Sequence, residues 1–175
     1  YDTAGKQLWT YNTYDKVKGV AMSADGKKIA AASYDDNLYL LDNAGNLIWK
    51  YNLGSDVISV AISPDGKYIA AGSADDRIYL FDASKNLLWN RTCGNDVIAV
   101  GVSRNGVVAA GTLGYDLYVF DANGVQLWSF KANSDVTGIA MTPNADYIAI
   151  SSRDHLVRLF RAGSTPVWSA DAGYA

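Results

Sequence analysis

The sequence contains no glutamate: all 18 of its carboxylate side chains are aspartates. Aspartate favours turns over helix interiors, so the bias points to strands joined by tight turns, with little helix. Cysteine is nearly absent too. Cys93 stands alone, which excludes an internal disulfide framework and leaves the redox compartment open. There is no basic stripe, since the net charge is −3 and the Lys and Arg residues are scattered, and nucleic-acid binding therefore has no electrostatic footprint. No apolar run approaches the ~18 residues of a membrane-spanning helix, so direct membrane insertion is not expected of these residues. The chain opens at Tyr1 without a leader-like run, as either a mature protein or a segment of something longer would.

Tryptophan is present in a strict order. Trp9, Trp49, Trp89, Trp128 and Trp168 are separated by 40, 40, 39 and 40 residues, and a fixed period of this length is the mark of a repeat architecture. Other positions keep the same phase: Val17, Val57, Val97 and Val136 form one column, and Ile29, Ile69, Val108 and Ile148 another. The one missing residue falls in the turn after Gly106, and deletions belong in turns. The period places repeats at approximately 10–49, 50–89, 90–128 and 129–168 of a single region 1–175, with 1–9 as the outer strand of a preceding unit.

Each unit divides into four short apolar segments separated by turn residues, the pattern of a meandering antiparallel sheet. In the second unit the expected strands are Val57 to Ser63, Tyr68 to Ser73, Arg77 to Phe81 and Leu87 to Trp89. The strands are apolar on both faces, which requires each sheet to be covered on both sides. In the first strand a small column (Gly19, Ser59, Ala99, Gly138) alternates with a larger one (Val20, Val60, Val100, Ile139). Small residues then face one neighbour and large ones the other, as sheets crowded around an axis require, and this strand is placed innermost.

The run from Ser63 to Asp82 closely resembles a blade of the WD-repeat β-propellers, and it recurs in all four units. Asp42, Asp82 and Asp121 match the aspartate that ends the third strand in that family. The family's Gly-His pair is missing, so its side-chain tetrad cannot form intact, although Asp75 and Ser73 supply part of it. A second resemblance lies on the outer strand. Asp42, Gly45 and Trp49, and likewise Asp121, Gly124 and Trp128, look like the tryptophan-docking motif of quinoprotein propellers, and Asp2, Gly5 and Trp9 share the spacing. That resemblance implies a structural, inter-blade role for Trp9, Trp49, Trp89, Trp128 and Trp168. The second unit has Lys85 for the glycine, and the last copy, Arg161, Ser164 and Trp168, departs further. Hybrids of the two patterns are similar to tandem propeller arrays in prokaryotic, especially archaeal, surface proteins.

The expected fold is thus all-β: a β-propeller of four-stranded antiparallel blades, with four repeats and one extra outer strand. Both Gln7-Leu8-Trp9 and Pro166-Val167-Trp168 claim the closing place of a ring, and WD-like rings usually need about 280 to 320 residues. These blades are therefore expected to belong to a larger ring or array, completed by self-assembly or by further blades.

No catalytic constellation stands out. His155, in a loop where the first two units carry Asp36 and Asp76, reads as a solvated side chain, because the rest of a triad is not visible. The pairs Asp35-Asp36 and Asp75-Asp76, with Asp116 and Asp154, read as turn chemistry in preference to a calcium site, which needs six to eight oxygens. No cofactor or metal is expected. Asn90-Arg91-Thr92 is a glycosylation triplet if the chain is exported, placed just after an outer strand. The leading expectation is a noncatalytic module at the cell surface, in which a protein or glycan partner, or a scaffold, meets the face carrying Asp35, Asp36, Asp75, Asp76, Asp96, Tyr115, Asp116, Asp135 and His155. Two alternatives stand beside it: a fragment of a quinoprotein dehydrogenase, opposed by the lack of glutamate, and an intracellular, cytoplasmic scaffold of WD-repeat type.

Overall fold

The structure is a computed structural model that describes residues 3–173. Sixteen strands form four antiparallel sheets of four, each in simple sequence order. Blade one comprises β1 (Val17–Met22), β2 (Lys28–Ser33), β3 (Asn37–Asp42) and β4 (Leu47–Asn52). Blade two holds β5 (Val57–Ile62), β6 (Tyr68–Ser73), β7 (Arg77–Asp82) and β8 (Leu87–Thr92). Blade three holds β9 (Val97–Val102), β10 (Val108–Thr112), β11 (Asp116–Phe120) and β12 (Gln126–Lys131). Blade four holds β13 (Val136–Met141), β14 (Ile148–Ser152), β15 (Leu156–Phe160) and β16 (Pro166–Asp171). The expected propeller-like arrangement of blades is what the chain forms, and β8 continues three residues beyond the predicted Trp89.

The turns explain the blade. Ser23, Ser63, Ser103 and Thr142 each receive a neighbouring backbone N–H on the side-chain oxygen and close the turn into the second strand. In blade three that turn is one residue shorter, with Ser103 N–H reaching the Val107 carbonyl where Ser63 N–H reaches that of Tyr68. The deletion seen after Gly106 is absorbed there. Between third and fourth strands, Asp42, Asp82 and Asp121 each accept two backbone N–H groups on Oδ1, which holds a tight turn with a left-handed residue at Gly45, Lys85 and Gly124. Arg161 has no acceptor to replace this aspartate.

Two bulges recur in every blade. One lies at the start of the first strand, between Val57 and Ser59 in blade two, and the other precedes the tryptophan, so that Trp89 pairs with Leu80 and Leu87 with Phe81. The extra residues Ile48, Leu88, Leu127 and Val167 are left exposed outside the ladder. A bulge re-aims the next side chain, here the indole.

The first strands of successive blades pack in order, β1 on β5, β5 on β9 and β9 on β13, which places them innermost as their small-large alternation implies. Gly19 lies where an added Cβ would sit 3.5 Å from Val60 Cγ1, and at Gly101 it would sit 3.0 Å from Ile139 Cγ2. Three cores lie between blades, one per joint; the first packs Ala30, Leu38, Leu40 and Trp49 of blade one on Val57, Ile69, Tyr79 and Phe81 of blade two. Among the described residues no comparable packing joins β13 back to β1. The four blades form an open arc, and Val20 and Met22 on blade one remain 70% and 63% exposed.

Residues 7–9, expected as the outer strand of a preceding blade, form no ladder, because the described chain offers no third strand beside them. Their tryptophan still docks: Trp9 Nε1 donates to the Asn43 carbonyl at 2.9 Å. Asp2, which shares the docking spacing, lies outside the described residues.

Candidate interaction face

The connections from second to third strand and from each outer strand to the next blade lie at one end of the sheets and are bonded to each other. In the first type of loop, Asp36, Asp76, Tyr115 and His155 occupy equivalent places with φ near +65 to +73°. Their carbonyls accept the N–H groups of Leu53, Cys93, Ala132 and Ala172, which leave the fourth strand of the same blade. From the other side, Ala74, Leu113 and Arg153 donate their N–H groups to the carbonyls of Asp56, Asp96 and Asp135 at the entrance of the first strand. This lacing consumes backbone groups that would otherwise need water and holds the loops as one fixed surface.

The nine predicted face residues thus lie at the same end of the arc, but their side chains divide into two sets. Asp35 Oδ2 accepts the Tyr39 hydroxyl at 2.5 Å and the Tyr14 N–H at 3.0 Å, and Oδ1 accepts the Asn37 N–H. Asp75 makes the corresponding bonds to the Tyr79 hydroxyl and the Arg77 N–H. Burial pushes Asp35 up, yet the bonds from Tyr39, Tyr14, Ser33 and Asn37 outweigh it and leave the carboxyl below its usual range. Tyr39 and Tyr79 are driven well above an ordinary phenol, first by burial and then by these carboxylates. Asp116 is held by Lys131 Nζ at 2.8 Å and Asp135 by Arg153 at 2.6 Å. These four aspartates serve the fold. Asp36, Asp76 and Asp96 make no side-chain bond among the described residues, and Tyr115 and His155 are exposed.

In blade four the same position carries a stronger pair. Arg158 clasps Asp154 through two bonds of 3.0 and 2.6 Å, with both side chains only 6–7% exposed. The hydrogen bonds from Arg158 hold the Asp154 carboxyl far below the usual range, against burial. In blade three Gly114 replaces the aspartate, and the Asn95 side chain fills the space, its Nδ2 lying 2.5 Å from where a Cβ would stand. The aspartate thus recurs with a hydroxyl or guanidinium four residues later, a spacing visible in Asp35/Tyr39, Asp75/Tyr79 and Asp154/Arg158 but passed over because the aspartates read simply as turn formers.

Two rings beside lysines were missed: Tyr14 is 86% exposed with Lys50 Nζ 5.4 Å from its centroid, and the half-buried Tyr34 has Lys18 at 5.5 Å; the predicted Tyr115 has Lys131 at 5.8 Å. A tyrosine with an apolar body and a polar tip is suited to protein and sugar surfaces.

Away from this face, Cys93 is 3% exposed and burial raises its thiol pKa to about 12, which makes it a packing residue. No group of three His, Cys or Asp side chains converges among the described residues. Asn90 is a correction to the expected placement: it lies inside β8, not after it, and its Oδ1 accepts from Arg77 at 2.7 Å. The tryptophans also separate. Trp49 and Trp89 lie between blades, donating to the Ala83 and Ala122 carbonyls at 3.0 Å, and Trp9 does the same on blade one. Trp128 packs on Phe160 without such a bond. Trp168, expected between blades, meets no further blade among the described residues and is 46% exposed.

Comparison with known families agrees with this architecture. A model of a family of unknown function, DUF5711, matches residues 31–155, from β2 to the loop after β14. A WD domain, G-beta repeat model matches residues 5–42, from the Trp9 segment to the aspartate ending β3. No curated protein matches the chain.

Proposed function

The chain belongs to a family of unknown function, DUF5711, and from the laced loop face we propose that it is a noncatalytic interaction module. A WD domain, G-beta repeat model matches its residues 5–42, which supports this reading. The blades supply a rigid frame, and the face presents Asp36, Asp76 and Asp96 with the rings of Tyr14, Tyr34 and Tyr115 to a protein or glycan partner. One observation carries this reading: backbone bonds fix the loops at that end, yet these three carboxylates make no side-chain bond among the described residues. A surface held still loses little conformational entropy on binding, and carboxylates and aromatic rings at the same end offer adaptable polar contacts.

A cell-surface or extracellular setting is part of the proposal, since polar rings and acids on a preformed face fit contacts made outside the cell. The test is a panel of immobilised glycans and purified surface proteins, probed with the wild-type chain and with the triple variant Asp36→Lys, Asp76→Lys, Asp96→Lys. A partner retained by the wild type and released at least tenfold faster by the variant supports the proposal. Equal retention by both proteins, with unchanged melting, removes this face from consideration.

A further inference from the structure

At the internal joints, the turn between the first two strands of one blade is covered by a side chain from the blade before it. At the first joint the cover is Lys28, whose Cδ lies 3.2 Å from where a Cβ on Gly66 would stand and whose Nζ donates to the Gly66 carbonyl at 2.8 Å. At the second joint it is Tyr68, whose Cζ lies 3.3 Å from the same point on Gly106. Each of these residues directly precedes the column of Ile29, Ile69 and Val108, so at the third joint the place falls to Val107. A valine ends well short of a phenol or a lysine stem. Gly66 and Gly106 are buried, whereas Ala145, their counterpart in blade four, is only half-buried.

The indole at this third joint has lost its acceptor as well. Trp49 and Trp89 donate to the carbonyls of Ala83 and Ala122, each the residue after the aspartate that holds the turn. Ala162 follows Arg161 instead. That turn takes another course, with its left-handed residue at Ala162 (φ 51°) and not two places later as at Gly45, Lys85 and Gly124, and Trp128 Nε1 makes no bond among the described residues. What remains is a cavity of about 380 Å³ between blades three and four, walled by Val107, Val119 and Trp128 on one side and by Ala145, Ile148 and Ala162 on the other.

We propose that this cavity binds a small aromatic molecule carrying one hydrogen-bond-accepting oxygen. Its volume lies within the range of small-molecule sites, and it combines apolar walls with a polar group that fixes orientation, as such sites do. The shape of the occupant follows from the missing side chain, since the equivalent space at the second joint holds the phenol ring of Tyr68. Its polarity follows from the indole. An oxygen on Trp128 Nε1 restores the bond that this joint lacks, so such a molecule is preferred over a hydrocarbon of the same shape. The cavity lies at the opposite end of the sheets from the laced loops, and its test is independent of the face proposed above.

The probe is p-cresol, the tyrosine side chain as a free molecule. Titrated into the whole chain with isotopically labelled tryptophan, it should shift the indole N–H signal of Trp128, identified by its loss in Trp128→Phe, and saturate with a Kd of about 1 mM, as suits so small a ligand. The Trp49 and Trp89 signals should stay in place. Val107→Tyr and Val107→Lys copy the second and first joints; each should keep or raise the melting temperature and weaken p-cresol binding by about tenfold or more. Toluene, which lacks the oxygen, should bind the wild type about fivefold more weakly. A Trp128 signal left unmoved up to about 10 mM p-cresol overturns the proposal. So does a shift that persists in both filling variants, a melting temperature lowered in both of them, or toluene binding as tightly as p-cresol.

Discussion

The indole N–H of Trp49 donates to the carbonyl of Ala83 in the next blade at 3.0 Å, and its ring lies 6.0 Å from that of Phe81. This joins residues 34 positions apart at the rim of the arc. Trp49→Ala should lower stability by about 3–5 kcal/mol, the range for removing a buried large aromatic. Trp49→Phe, which keeps much of the burial and loses the bond, should cost less, with about 1 kcal/mol for the hydrogen bond itself. At the exposed Trp168 the same change to alanine should leave monomer stability within about 0.5 kcal/mol. Urea unfolding of the three variants gives the comparison.

The Asp154–Arg158 clasp is a second test, and the chain contains its own control. Arg158→Leu strands a buried carboxylate and should cost about 3–5 kcal/mol. Arg158→Tyr should cost clearly less, because Asp35–Tyr39 and Asp75–Tyr79 show that a phenol satisfies the same aspartate position. Equal losses in the two variants would show that the charge, not the hydrogen bond, is what the site needs.

The same pair predicts a pH dependence. Arg158 holds the folded-state pKa of Asp154 below its unfolded value. Its stabilisation is therefore complete above the ordinary aspartate pKa of about 3.9 and is lost as the pH falls toward the lower folded value. Asp154→Asn should reduce stability at neutral pH and flatten the acid limb, so that the gap between the two proteins narrows steadily as the pH falls below about 4. Thermal melts from neutral to acid pH measure both effects.

Much of this architecture was readable from the 40-residue spacing, because one side chain per blade has to meet the next blade at the same place. The small-large alternation of Gly19/Val20 and Ala99/Val100 also showed which strand lies innermost. The extent of β8 was less legible: past Trp89 the strand runs Asn90-Arg91-Thr92, polar residues on an outer edge where burial no longer sets a pattern. The sorting of the face aspartates was harder still. Asp75 and Asp76 are adjacent and chemically identical, and only the left-handed φ of Asp76 separates a carboxylate turned to Tyr79 from one left unpaired.

Cys93 closes the set of tests. It lies in the core between blades two and three with Trp89, Val97 and Phe120, and its N–H is bonded to the Asp76 carbonyl beneath the proposed face. With a thiol pKa of about 12, caused first by burial and then by the nearby Asp116 and Asp76 charges, almost no thiolate exists at neutral pH, and the thiolate is the reactive form. The native protein should therefore resist a disulfide reagent such as Ellman's for as long as this joint stays shut, while urea-unfolded chain reacts at the rate of a free cysteine. Trp89→Ala, which opens the same core, should speed labelling in native buffer at least tenfold, whereas Trp168→Ala at the open end should leave it unchanged. Rapid labelling of the wild type would mean that the joint between blades two and three opens readily, and the interaction face above it would then not be rigid.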